Sequence, residues 1–316
     1  MHSKYTFSNL LKSSLLALVL SSTTLLAEEG ASGHYMPGSI SSFMDAAPEE
    51  GGWILRLNYL NYQGSASVPL PFSDKLVANV DAKSNALALT VLWSPKLDYD
   101  FKDFHWAVTA TIPVLNMDIS GDVAGLSRGG DRTALGDIVF SPLFVNYDGF
   151  RDSDIDINFR VNIYAPTGSY DVNRLINNGK NFWTVEPTLG FVYLGKENGR
   201  EASLYFGVDY NWENPDTNYK SGTQIHFDGT LAQHFPFMGG LGGAGVTGYW
   251  YDQVTGDSGS GATFGEFKAE AAGVGPVLSW VDKTGKYVGE IKYLKDYHNE
   301  KRPESDIVWF KIVSKF

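Results

Sequence analysis

Three short runs in this 316-residue chain carry the residue order of reactive sites. Gly256-Asp257-Ser258-Gly259 has the form of a serine nucleophile on a tight glycine turn, the arrangement used in acyl transfer. It lies in a polar stretch between two strand-like segments, with no cysteines in the chain and no matching histidine motif upstream. Gly240, Gly242 and Gly245 fit the Gly-x-Gly-x-x-Gly spacing, but a dinucleotide loop must open a helix, and this one runs into the alternating segment 246–252. Gly190, Gly195 and Lys196 follow a phosphate loop until Glu197 replaces the Ser or Thr that would hold magnesium. No catalytic residue, metal or cofactor is assigned from these runs.

A different set of polar residues is more coherent. His226 and Asp228 share one face of a segment, and His105, His234, Asp154, Asp156 and Asp209 occupy the same face of theirs. A metal or catalytic cluster is one reading. The wall of a hydrated channel is the reading we favour, with Arg56 and Arg160 facing Glu186, Glu201, Glu266, Glu270 and Glu290 across it.

The elements that hold these residues are legible from periodicity. In 154–165, Ile155, Ile157, Phe159, Val161, Ile163 and Ala165 alternate with Asp154, Asp156, Asn158, Arg160, Asn162 and Tyr164. Period two over this length is a strand with one apolar and one polar face. Segments 183–193, 202–212 and 224–235 repeat the pattern. Weaker examples at 52–63, 84–94, 103–115, 134–147, 241–252, 263–281, 286–297 and 305–316 bring the expectation to about twelve strands. Strands of about 11 residues match a tilted bilayer crossing rather than the five or six of soluble sheets.

Connector lengths are sorted as well. Long polar loops are expected at 64–83, 116–133, 165–181, 213–221, 253–262 and 298–304, with short turns between them, which is the outer-membrane pattern. Both chain ends are then expected on the short-turn side. Aromatics at strand ends, among them Trp93, Trp183, Tyr210, Trp212, Tyr249, Tyr251 and Tyr287, read as two interfacial girdles. The last strand ends on Phe316, in phase with Val308, Phe310 and Ile312, which resembles the signal read by outer-membrane insertion machinery. An all-β, transmembrane antiparallel barrel follows, because a sheet in lipid cannot leave an edge unpaired.

Residues 1–27 read as an export signal, with Lys4 and Lys12, the apolar run 15–20 and Ala27 ahead of Glu28-Glu29. Removing them takes away two of 25 basic residues and none of 36 acidic ones, leaving a net charge of −13. That disfavours nucleic acid as a partner. Residues 28–50 are expected to form a leader or lumen plug, and 51–316 the barrel. Within the leader, His34, Tyr35, Met36 and Pro37 are the candidate gate; Arg56, Arg160, Glu186, His226 and Asp228 are the candidate lumen contacts.

Gly33-His34-Tyr35-Met36-Pro37-Gly38, Leu135-Gly136-Asp137-Ile138, Ala165-Pro166-Thr167-Gly168-Ser169-Tyr170, Trp183-Thr184-Val185-Glu186-Pro187 and 248–262 are similar to the SphA-type outer-membrane protein family. That family carries a label from the MetA pathway of phenol degradation. The resemblance implies a bacterial outer-membrane barrel, surrounded by outer-membrane lipids, that passes small hydrophobic or aromatic compounds, with an N-terminal plug and no catalytic residues. A barrel enzyme acting on membrane lipids, or a structural barrel without a pore, are the alternatives.

Overall fold

A computed structural model of the chain describes residues 26–46, 51–70, 73–96, 103–123, 126–263 and 265–316. Most of the expected export signal therefore lies outside the described residues.

Thirteen strands follow the N-terminal segment. They are β1 (Gly52–Leu70), β2 (Ser73–Ser94), β3 (Phe104–Val123), β4 (Leu126–Leu135), β5 (Ile138–Tyr147), β6 (Ile155–Ala165) and β7 (Thr184–Leu194). β8 (Arg200–Asn211), β9 (Gln224–Phe237), β10 (Gly240–Gln253), β11 (Glu270–Asp282), β12 (Tyr287–Glu300) and β13 (Glu304–Lys315) complete them. β1 pairs antiparallel with β2 on one side and β13 on the other, so the sheet closes on itself. β3 pairs with β4 through 114–123 and with β5 through 104–111. β4 and β5 therefore share one position in the wall, broken at Gly136-Asp137, and the closed barrel has twelve positions.

The two faces behave as the alternation requires. Leu204, Ile112, Phe310 and Ile312 are about half exposed on the outside, while Asn158, Arg160 and Asn162 are buried on the inside of the strand that shows Phe159 outward. Among the described residues no helix is long and apolar enough to cross a membrane. The closed sheet, apolar outside and polar inside, is what a membrane crossing built from strands requires, since an open edge in lipid would leave backbone groups unpaired.

Three expectations change. The described residues of 64–83 and 116–133 are strand rather than loop: β1 and β2 stay in register from Gln63↔Lys83 to Val68↔Ala78, and β3 and β4 from Asn116↔Thr133 to Val123↔Leu126. Met117, Ile119 and Val123 do alternate with Asp118, Ser120 and Asp122, but the Gly, Ser, Asp and Pro of both stretches read as turn residues. β11 starts at Glu270 rather than 263, the described residues of 254–269 forming no strand beyond an isolated bridge between Ser258 and Lys220. The girdle residues also divide. Trp183, Tyr210 and Trp212 are exposed at the long-loop end, and Trp53 and Trp93 at the short-turn end, but Tyr249 and Tyr251 are buried inside.

Candidate functional site

The lumen is not empty water. Residues 26–46, including two short 3-10 turns (Glu29–Ala31 and Phe43–Asp45), run along the inner wall and hydrogen-bond to it throughout. Ala27 N donates to the carbonyl of Lys301 in the β12–β13 loop, at the long-loop end. Asp45 lies by Arg56, near the start of β1 at the opposite end. The barrel strands do begin and end on the short-turn side, where Phe316 N donates to Trp53 O. The segment preceding β1, however, places Glu28 at the other mouth.

Each candidate gate residue makes a wall contact. His34 bridges Thr184 of β7 (Nδ1 to Oγ1, 2.7 Å) and Asp137 at the β4–β5 break (Nε2 to Oδ2, 3.0 Å), and stacks on Tyr164. Asp137 also accepts from Gly168 N at 2.8 Å and Lys180 N at 2.7 Å, so one carboxylate ties the break, the β6–β7 loop and the N-terminal segment together. Tyr35, 2% exposed, stacks on His226 with ring centroids 3.9 Å apart and donates its hydroxyl to Asp228 at 2.9 Å. Met36 packs against the buried cluster of Leu60, Leu294 and Trp309. The Pro37 carbonyl accepts from the Trp309 indole at 2.8 Å.

The candidate lumen residues fall into two groups. His226, Glu186 and Asp228 come together, with Asp209 added: His226 lies 3.1 Å from Asp228, 3.4 Å from Glu186 and 3.5 Å from Asp209. Close approach here needs glycine, since a Cβ on Gly207 would collide with the His226 ring. Among the described residues no group of three or more His, Asp or Glu has metal-holding geometry.

Among the described residues, Arg56 and Arg160 form an ion pair with none of the glutamates. Both reach Asp45: Arg56 Nη1 lies 2.6 Å from Oδ1, and Arg160 donates to the backbone carbonyl. Lys311 adds a second ion pair at 3.2 Å. Burial alone would raise the Asp45 carboxyl, but Lys311, Arg56, Lys292 and Arg160 outweigh it and hold the carboxyl well below the usual carboxylate range. Glu201 pairs with His234 at 2.9 Å and accepts from Phe43 N at 2.8 Å. Glu270 is half exposed beside His298, outside this group.

Asp45, Lys292, Lys311 and Trp309 were missed by the sequence reading. Lys311 and Trp309 lie in opposite phase to Val308, Phe310 and Ile312, and that phase was a usable sign that they point inward.

Between the N-terminal segment and the wall of β1, β2, β3 and β5 lies a cavity of about 370 Å³. Its wall is small and apolar where β2 presents Ala82, Ala86 and Ala88 and β3 presents Leu115 and Met117, facing Met36 and Ile40 of the segment. His105, His226 and His234 all lie on the inner face, in contact with Asp148, Glu186 and Glu201 respectively.

A family model described as "Putative MetA-pathway of phenol degradation" matches residues 63–312. No curated protein matches the chain. Among solved structures, the COG4313 outer membrane channel from Pseudomonas putida F1 is similar at TM-score 0.67 and 18% identity, covering 90% of this chain and 100% of that one. The β domain of the Bordetella autotransporter BrkA aligns at TM-score 0.48 and 11% identity, over 84% and 99% of the two chains.

Proposed function

The chain belongs to the family described by the MetA pathway of phenol degradation, whose model spans nearly the whole barrel, and on that premise we propose a passive outer-membrane channel for small hydrophobic or aromatic compounds. The observation that carries this reading is the 370 Å³ cavity, large enough for a one- or two-ring molecule, whose β2 and β3 side combines an apolar stretch (Ala82, Ala86, Ala88, Leu115, Met117) with the hydroxyls of Thr90, Thr109 and Thr111. A water-filled pore for sugars or ions would have no use for the apolar stretch of that wall.

His34, Tyr35, Met36 and Pro37 act as the gate in this proposal. The segment occupies the lumen through many separate polar contacts, so a solute passes when part of it shifts rather than when all of it leaves. Arg56, Arg160, Glu186, His226 and Asp228 hold the closed state. Lipids of the outer membrane surround the apolar exterior, and the terminal strand ending in Phe316 is the proposed handle for the insertion machinery.

Uptake of a labelled aromatic is to be compared in cells lacking the protein, expressing it, and expressing a form without residues 30–48. Expression should raise uptake, and the shortened form should raise ion conductance in planar bilayers. Aromatic uptake that is the same with and without the protein would sink the proposal.

A further inference from the structure

Gly256-Asp257-Ser258-Gly259 has no part in the channel reading, yet Asp257 is 1% exposed. Its Oδ2 accepts from the Tyr219 hydroxyl at 2.6 Å and from Glu28 N at 3.1 Å. Its Oδ1 accepts from Gln253 Nε2 at 2.7 Å and Gly222 N at 3.0 Å. All four donors are neutral. Among the described residues, no cationic side chain stands within ion-pair distance of this carboxylate, whereas the neighbouring buried carboxylate of Glu28 has Arg302 at 3.9 Å. A buried carboxylate without a counter-charge is costly, and burial this complete calls for one.

Glu28 is unusual in a second way. Its backbone sits at φ 64, ψ 145, close to a region populated essentially by glycine alone. That φ exists only because Glu28 is bonded to Ala27, the residue at which the sequence places the end of the export signal.

We propose that the mature chain begins at Glu28 and that its new α-ammonium is the missing partner of Asp257, an internal site for the processed N-terminus. A leader peptidase adds water across the Ala27–Glu28 bond. Ala27 leaves as a carboxylate, and the Glu28 nitrogen keeps its hydrogens and takes protons to become an ammonium, charged at neutral pH. The donor already 3.1 Å from Asp257 Oδ2 becomes a cation, and the strained φ ceases to exist. The ammonium brings additional N–H donors to a place where Gln224 Oε1 and Gln253 Oε1 are buried without partners. Gln224 already donates to the Glu28 carboxylate at 2.7 Å.

The N-terminal segment is then pinned by an ion pair at each end, Glu28 to Asp257 at the long-loop mouth and Asp45 to Arg56 and Lys311 at the other. Only a processed chain makes the first of these. The inference rests on the export-signal reading and is independent of what the channel carries.

The test is chemical labelling of the full-length protein purified from outer membranes. Intact mass first fixes the start of the chain, expected at Glu28; a different start overturns the proposal. An amine-reactive ester is then applied at neutral pH, and the N-terminal peptide is compared with exposed lysine peptides. The α-amine of the folded protein should react on the order of 100-fold more slowly than in denatured protein, as for a group reached only by local opening. Asp257→Asn should remove most of that protection. A second variant, with one glycine inserted between Ala27 and Glu28, keeps Asp257 but displaces the ammonium by about 3.8 Å, one Cα step, and should also label fast. Each variant is first confirmed as a folded barrel by heat-modifiable migration. A native α-amine that labels as fast as exposed lysines, or protection unchanged in both folded variants, overturns the proposal.

Discussion

Asp45 Oδ1 lies 2.6 Å from Arg56 Nη1, and its Oδ2 lies 3.2 Å from Lys311 Nζ, so one carboxylate of the N-terminal segment neutralises cations on β1 and β13, the two strands that close the barrel. Docking of the N-terminal segment and barrel closure are thus coupled through one buried carboxylate. Asp45→Asn should leave two cations without that partner at a cost of about 3 kcal/mol, typical of breaking a buried ion pair. Lower thermal stability in detergent, together with more frequent open-channel events in bilayers, is the expected result.

The same contact sets a pH dependence. The Asp45 carboxyl is held below its ordinary value, so its stabilisation is complete above the unfolded-state value and drains away as pH falls toward the depressed folded one. Channel openings should therefore increase as pH drops below about 4, the ordinary aspartate value. Glu28 and Glu29, raised by burial, act with the opposite sign, since protonating them favours the docked state. Loss of the acid-induced opening in Asp45→Asn separates the two contributions.

Tyr35 contributes both a ring and a hydroxyl. Tyr35→Phe keeps the stack on His226 but leaves Asp228 short of one donor, which should cost about 1–2 kcal/mol. Tyr35→Ala loses the stack as well and should cost about 3–5 kcal/mol, the range for a buried aromatic. Segment release read by protease nicking near residues 34–37 should follow that order, wild type, Phe, Ala.

Volume in the cavity depends on small side chains of β2. Ala86→Phe would fill it from the wall side while leaving every charged residue of the lumen in place. Uptake of aromatics should fall by about tenfold or more while the barrel stays folded, overpacking of a pre-existing space costing about 1–3 kcal/mol at most. Unchanged uptake would show that solutes take another route.

Leu204 is 49% exposed on the outside of β8. Leu204→Arg should destabilise the barrel in lipid by about 2–4 kcal/mol, the penalty for a cation near the bilayer midplane. Equilibrium unfolding in vesicles would measure it, and the cost should shrink for the same change near the girdles.

How far the residues alone reach is clearest on β6 and β8. Every residue from Ile155 to Ala165 was assigned its face by alternation, because the exterior solvent is lipid and the interior is polar, and each position must answer to one of them. The closed sheet follows from the same argument. The β1–β2 and β3–β4 extensions resemble loops in sequence because Gly, Ser, Asp and Pro are frequent in them, and those turn residues mask the alternation of Met117, Ile119 and Val123 with Asp118, Ser120 and Asp122.

What the sequence by itself determined was the wall: an antiparallel barrel, its lipid and lumen faces, and an N-terminal segment of unusual composition. What the tertiary structure decided was the pairing across the lumen. Asp45 meets Lys311 across 266 positions of chain, and Tyr35 meets Asp228 across 193. Alternation specifies which way a side chain points, a local property of the backbone. Which charge it meets depends on strand register and on the path of the N-terminal segment, and those are fixed only when the ring of strands has closed.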